Sequence, residues 1–390
     1  MNRILPTIVI SQFFCTSLWF AGNAVMADIA LRFNLSNSYL AYLTSAVLLG
    51  FITGTLAFAV LAISDRFSPS KIFFSCAIIS AVINLGITLN EISSVELMLF
   101  RFLTGFLLAG IYPIGMKIAA DHYQKGLGKS LGFLVGALVI GTAFPHFLKS
   151  MLATLPWKYV IYSTSLLSTI GGFAMLFLVP DGPFRKTSQK LKLNSFMQSF
   201  KNEKFKSAAF GYFGHMWELY SFWVFVPVIL TTYNNRHLNT NLDVSLLSFV
   251  IIVVGSLACL FSGLIAERFG AKKIATISLA ISGLCCIISP LILVSSSSVV
   301  LLTFLLIWSM AVIADSPLFS TLVAQNAPDA TKGTSLTIVN CIGFALTIIS
   351  IQFIDALRNK IDAQYIYMFL AIGPAFGLGA LLKKSKVSKS

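Results

Sequence analysis

This sequence has little charge. Only 11% of its 390 residues are Asp, Glu, Lys or Arg, where a soluble domain carries about 25%. That excludes an ordinary water-facing surface over most of the chain. Histidine is rarer still, with 4 residues. Two of them, His122 and His237, fall in or near loops, so no imidazole cluster for a metal is expected. The 6 cysteines (Cys15, Cys76, Cys259, Cys285, Cys286, Cys341) all lie in apolar segments without metal-ligand spacing. They read as small core residues, and no disulfide is expected. A Walker-type phosphate loop is also missing, which excludes nucleotide hydrolysis by that route.

Apolar residues make up 57% of the chain. They come in runs long enough to cross a bilayer, which takes about 20 residues per helix. A β-barrel would instead show short alternating segments. The fold class is therefore an all-α polytopic membrane protein. Loop signals divide the runs into twelve transmembrane helices, at about 4–28, 40–63, 71–90, 97–118, 129–149, 158–179, 207–231, 244–266, 272–294, 298–324, 333–354 and 362–382. The first run follows a single Arg and imitates a signal peptide, but it reads on as a full span, expected to be retained.

The formal charge of +14 does not point to nucleic acid. Its basic residues sit mostly in short loops and in the tail KKSKVSKS. With both termini inside, most of the 28 Lys and Arg residues face the cytoplasm, as the positive-inside rule requires. The expected location is the cytoplasmic membrane, with anionic lipid headgroups near the basic loops. Residues 181–206 form the longest polar segment, a basic cytoplasmic linker. It separates a six-helix half at 1–180 from a second at 207–390.

The halves repeat. LAISDRFSPSK (61–71) follows the second span and GLIAERFGAKK (263–273) the eighth, at an offset of 202. Two like-oriented six-helix halves are a plan of secondary transporters, with a site near the midplane. Here the chain resembles the major facilitator superfamily over essentially its whole length. That family's loop signature, Gly-x-x-x-Asp-Arg-x-Gly-x-Arg/Lys-Arg/Lys, is matched by Gly263, Glu267, Arg268, Gly270, Lys272 and Lys273. The first copy keeps Asp65, Arg66 and Lys71, with Leu61 and Ser68 in place of the glycines. RFLTGFLLAGIYP (101–113) is similar to the family's fourth-helix signature through Arg101 and Gly105. GFLVGALVIGTAFPH (132–146) partly resembles the drug–proton antiporter signature, with Ala137 where that has Pro. The resemblance implies that the loop residues latch a cytoplasmic gate and that spans 1, 4, 7 and 10 line a cavity. It also implies a monomer.

Only two of the 14 acidic residues, Glu218 and Asp315, lie well inside a span. A charge at the bilayer centre costs roughly 2.5–3.5 kcal/mol on insertion scales, so such groups usually serve function. In GYFGHMWELYSFWVF (211–225), His215 lies one turn from Glu218 on the same face. Burial disfavours the charged form of either group, as a proton-carrying site requires. Two readings stand: Glu218 as the proton-coupling carboxyl with His215 as partner or relay, or a static pair holding the helix to a neighbour. Asp315 in ADSPLF precedes Pro317, and Pro113 stands in the matching region of span 4. Proline removes a backbone donor, so both helices are expected to break there. Asp315 is then a second proton site, an ionic lock, or a partner for the disturbed backbone.

Arg101 cannot shed its charge and needs a partner, an anionic substrate group or a carboxylate. It could also snorkel to the interface. Asn23, Trp19, Tyr220, Trp223, Asn340 and His146 complete the expected substrate-binding set. Small-residue stripes are expected to pack closely in span 2 (Ala46, Gly50, Gly54), span 5 (Gly128, Gly132, Gly136) and span 8 (Gly255, Cys259, Gly263). An intramembrane metalloenzyme is disfavoured because HMWEL lacks the second His of His-Glu-x-x-His; no enzyme activity, metal or cofactor is expected. The leading function is proton-coupled secondary transport of a small solute, with a small anionic metabolite as the candidate substrate. Drug or cation efflux against protons, and a non-transporting transporter-like receptor, are the alternatives.

Overall fold

A backbone in lipid finds no water to bond, so its amides and carbonyls must pair within the segment, and the segment becomes a helix. The computed structural model describes residues 3–383 except 37, 124–126, 186–196, 198, 329–331 and 359. Much of the expected linker, the tail beyond 383 and the Asp65 side chain lie outside the described residues. No strand occurs among the described residues. The helices are α1 (Ile4–Thr16), α2 (Ala21–Ala24), α3 (Met26–Phe33), α4 (Tyr39–Val60), α5 (Ile63–Arg66), α6 (Pro69–Leu85), α7 (Ser94–Leu108), α8 (Tyr112–His122), α9 (Leu127–Met151) and α10 (Lys158–Leu178). They continue as α11 (Glu203–Arg236), α12 (Val244–Phe269), α13 (Ala271–Leu293), α14 (Ser298–Ala314), α15 (Ser316–Asn326), α16 (Lys332–Arg358) and α17 (Ile372–Leu382), the last preceded by a 3₁₀ segment at Ile366–Ala371.

Ten segments are long and apolar enough to cross a membrane, with shorter apolar helices at Ile4–Thr16 and Ile366–Leu382. These twelve correspond to the twelve expected spans. Spans 4 and 10 break as their prolines predict. Pro113 and Pro317 each sit in the first turn of the second piece, α8 and α15, where a missing amide costs the helix nothing. The start of α7 is fixed by a capping box, with Ser93 and Glu96 satisfying each other's backbone amides.

Span 1 departs from the expected single helix over 4–28. It is interrupted between α1 and α2 and runs on through α3 to a left-handed Asn34 cap (φ 51°). The interruption contains neither Pro nor Gly. The amides of Leu18 and Trp19 turn back to the carbonyls of Cys15 and Thr16, and the carbonyls of Leu18 and Trp19 accept from Arg101. A side chain remote in sequence thus takes up what the helix ladder gives up.

Two compact units result, Met1–Ser188 with Val224–Ser256, and Gln189–Trp223 with Leu257–Ser390. In the first, α4 packs along α7, α6 along α10, and α1 against α9 and α10. Gly50 and Gly105 bring α4 and α7 to backbone contact: a Cβ at Gly50 would strike the Phe102 carbonyl, and one at Gly105 the Val47 carbonyl. The stripe expected in span 5 behaves differently, since a Cβ at Gly128 or Gly136 would meet nothing within 4 Å. In the second unit, α13 packs against α14, α15, α17 and the 3₁₀ segment.

Gly105→Val should therefore destabilise the protein by about 2–3 kcal/mol or prevent folding, because backbone cannot move aside as a side chain can. Gly136→Ala, in open space within a helix, should be neutral or raise stability by up to about 1 kcal/mol. Thermal unfolding of the two purified variants in detergent checks the contrast; equal effects would refute the close α4–α7 approach.

Candidate functional site

α11 is the most deeply buried of the ten long apolar helices. Glu218 lies 15 residues past its first residue, about 22 Å along the axis and close to the helix middle. The Glu218 side chain is fully buried. It is held by three donors. Trp308 Nε1 of α14 donates to Oε1 at 2.6 Å, Cys286 Sγ of α13 to Oε1 at 3.2 Å, and Ser282 Oγ of α13 to Oε2 at 2.9 Å. Ser282 and Cys286 are four residues apart, hence on one face of α13. Three donors suit an ionised carboxylate, which only accepts.

His215, one turn before Glu218, faces a different partner. Its Nδ1 lies 2.8 Å from Asp315 Oδ1, both side chains fully buried. The approach has ion-pair distance without hydrogen-bond alignment. Asp315 sits at the junction of α14 and α15, and its side chain does not cap α15. The structure thus brings Asp315 to His215, while Glu218 is bound elsewhere. Both carboxylates are nonetheless in the same unit. Around them, Ser221 donates to Ser350 at 2.8 Å and Thr347 to the Met216 carbonyl at 2.6 Å, tying α11 to α16.

Tyr220 and Trp223 are buried and their rings meet edge-on at 5.1 Å; Tyr220 also packs on Phe344 at 5.3 Å. Asn340 accepts from the Tyr212 hydroxyl at 2.6 Å. Both arrangements are continuous with the packing of α11 on α16.

In the first unit Arg101 is fully buried. Nη1 donates to the Leu18 carbonyl at 3.1 Å and to Asn84 Oδ1 at 3.5 Å, and Nη2 donates to the Trp19 carbonyl. All three acceptors are uncharged oxygens, and Nε has no partner. The guanidinium does not snorkel; it closes the break in span 1. Asn84 in turn donates toward Thr164 Oγ1 and Ser165 Oγ of α10 at 3.3 and 3.0 Å. Trp19 packs on Phe51 at 4.9 Å, Asn23 donates to Thr44 Oγ1 at 2.7 Å, and buried His146 meets Phe20 edge-on at 6.5 Å.

The loop signatures are built differently in their two copies. Gly270 is the single residue between α12 and α13 and has φ +90°, a conformation only glycine adopts without strain. Glu267, Arg268, Lys272 and Lys273 around it are exposed or half-buried, as is Gly263; Arg268 and Lys273 lie over the Phe269 ring at 5.4 and 5.9 Å. In the first copy Ser68 has ordinary extended dihedrals. Its hydroxyl donates to Asp181 Oδ1 at 2.6 Å, while Arg185 bridges Asp181 (2.9 Å) and the Phe67 carbonyl (2.7 Å). Arg66 and Lys71 are exposed.

Sequence reasoning missed Ser282, Cys286 and Trp308 at Glu218, Asn84 at Arg101, and Asp181 with Arg185 at the first loop. The one available signal was Ser282 and Cys286 at helical spacing on a single face. All six cysteines are buried, as expected of small core residues.

Arg101→Met should lower unfolding stability by about 2–4 kcal/mol, because two buried carbonyls lose their donor. Asn23→Ala, which removes one neutral hydrogen bond, should cost about 1 kcal/mol or less. Thermal melts in detergent measure both; an Arg101→Met melt equal to wild type would show that the span 1 break does not depend on this side chain.

The chain is 24% identical over 220 residues to YybF of Bacillus subtilis (strain 168), an uncharacterised MFS-type transporter. That match covers 53% of this chain and 52% of YybF, so the chain spans about half the length of this curated relative. Its fold is similar to that of a bacterial homologue of the human lysosomal transporter Spinster, solved inward-facing and unoccupied (TM-score 0.73, 15% identity, 97% of this chain and 96% of the other). It is also similar to the nucleoside transporter NupG, solved as a point mutant (0.75, 14%, 97% and 100%). A third similar structure is the proton:xylose symporter XylE (0.70, 15%, 97% and 95%). The family model of the Major Facilitator Superfamily matches residues 8–351, and the chain belongs to that superfamily.

Proposed function

We propose that this integral membrane protein is a secondary transporter that moves a small solute by alternating access and couples the movement to protons. The observation that carries the proposal is Glu218: a carboxyl in the middle of a membrane-spanning helix, fully buried, with three hydrogen-bond donors and the His215–Asp315 pair beside it. An apolar core gives such groups no stability that hydrophobic side chains would not give better. What they add is a place where a proton can rest inside the membrane. Glu218 is the coupling carboxyl in this reading, and His215 with Asp315 forms a second protonatable pair. The similar fold of XylE, which is a proton symporter, is consistent with this.

The substrate proposed is a small anionic metabolite. Arg101 holds a positive charge in the first unit against uncharged acceptors only, with Nε unmatched. An anionic group arriving there would supply the missing countercharge. Asn23, Trp19 and His146 belong to the same unit and are proposed to bind substrate with it. Tyr220, Trp223 and Asn340, in the second unit, are the proposed binding residues there. A second reading, export of cationic or amphipathic compounds against protons, is favoured by the aromatic set Tyr220, Trp223 and Phe344 together with the two buried carboxylates. The cytoplasmic membrane with both termini inside is the proposed setting, and the monomer the proposed state.

A thermal-shift screen of purified wild type and Glu218→Gln at pH 5.5 and 7.5 finds the ligand class first. Anions that stabilise more at low pH support symport of an anion; cationic amphiphiles that stabilise more at high pH support efflux. The hit is then followed in sealed proteoliposomes. Glu218→Gln should lose proton-driven accumulation at least tenfold while staying folded and keeping some counterflow exchange. Undiminished proton-driven accumulation in this variant would refute the coupling role.

A further inference from the structure

An ionised carboxylate only accepts hydrogen bonds, whereas a protonated one must also donate. A carboxyl that gains and loses a proton in a dry interior therefore needs a neighbour able to serve both forms. The three partners of Glu218 are not equal in this respect. The Trp308 indole N–H donates and cannot accept. The Cys286 thiol is a weak partner in either sense. Ser282 is different. Its Oγ lies 2.9 Å from Glu218 Oε2 and 3.1 Å from the carbonyl of Leu279, one turn back on α13. A hydroxyl has one hydrogen and two lone pairs, and its hydrogen rotates to suit. With Glu218 ionised, the hydrogen points to Oε2. With Glu218 protonated, it turns to the Leu279 carbonyl, and an Oγ lone pair accepts the carboxyl proton. No heavy atom has to move.

We propose that Ser282 is the two-way hydrogen-bond partner that lets Glu218 hold or release a proton with every buried group still matched. The proposal rests on the reading of Glu218 as a proton carrier, and makes Ser282 a positioning residue for that step. Titratable groups reach this region from several elements. His215 is on the same helix, Cys285 and Cys286 come from α13, and Asp315 from the α14–α15 junction. Cys259 of α12 donates to the Ile313 carbonyl, two residues before Asp315. Of all these partners, Ser282 alone has a hydroxyl bonded to Glu218 and a second acceptor already in place.

Infrared difference spectroscopy tests this without knowledge of the substrate. Purified protein in phosphatidylcholine–phosphatidylglycerol vesicles is titrated between pH 4 and 9, and the carbonyl stretch of protonated Glu218 is assigned by its loss in Glu218→Gln. Ser282→Ala should raise the frequency of that band, because the carboxyl proton loses its acceptor. It should also displace the titration midpoint by roughly half a pH unit or more. Ser282→Thr, which keeps the hydroxyl, should restore both. A folded Ser282→Ala that titrates as wild type, with an unchanged band, overturns the proposal and leaves proton coupling at Glu218 standing. A titration with no band that Glu218→Gln removes overturns both. If the alanine variant does not fold, Ser282→Cys takes its place, and a cysteine variant that matches wild type in band and midpoint overturns the proposal.

Discussion

Water is missing from the interior of a membrane, and much of this structure is a response to that. Each buried charge needs partners drawn from the protein itself, at a cost that a soluble protein avoids by solvation. Glu218 gathers an indole, a thiol and a hydroxyl from two other helices. Arg101 gathers carbonyls from the interrupted stretch of span 1. In both cases the charge dictates the local architecture rather than decorating it. The helices that meet at these two residues are fixed relative to one another within each unit by bonds that hydrophobic packing alone could not specify.

Much of the fold was legible because hydropathy is a local property. Twelve apolar runs became twelve spans, and Pro113 and Pro317 foretold the breaks in the fourth and tenth. The break in the first span was illegible. Neither Pro nor Gly stands between Ser17 and Phe20, and the carbonyls freed there are taken up by a guanidinium more than 80 residues away. The repeat makes the point sharper. The corresponding stretch of span 7, 202 residues on, is continuous inside α11, and the counterpart of Arg101 there is Thr303. The same plan, without the buried cation, leaves the helix whole. The glycines of the loop signature divide in the same way. Gly270 needs its positive φ, whereas Ser68 replaces a glycine in a loop that turns by another route and recruits Asp181 through its hydroxyl.

The candidate site was legible in its charges and not in their partners. Glu218, His215 and Asp315 stand out in sequence because an ionisable residue in an apolar run is conspicuous. Ser282, Cys286 and Trp308 are ordinary residues in apolar helices, and small or aromatic side chains are expected there for packing alone. Helical spacing put His215 beside Glu218, and the structure keeps them one turn apart, yet the imidazole meets a carboxylate 100 residues further on. Periodicity shows which residues share a face; it cannot show which of two neighbouring helices that face will meet.

One helix carries both His215 and Glu218, and through them it is tied to α14 twice. Trp308 binds Glu218 from the body of α14, and Asp315 meets His215 at its end. The stretch between these two ties is the part of α14 that leads into the break before α15. A change of charge at Glu218 alters the tie at Trp308. A change at His215 or Asp315 alters the tie at the break, where no backbone ladder runs through to resist it. Interrupted helices are where a membrane protein can bend without abandoning many hydrogen bonds at once. In the proposed transport cycle, the arrival or loss of a proton would therefore act on α14 at its weakest point.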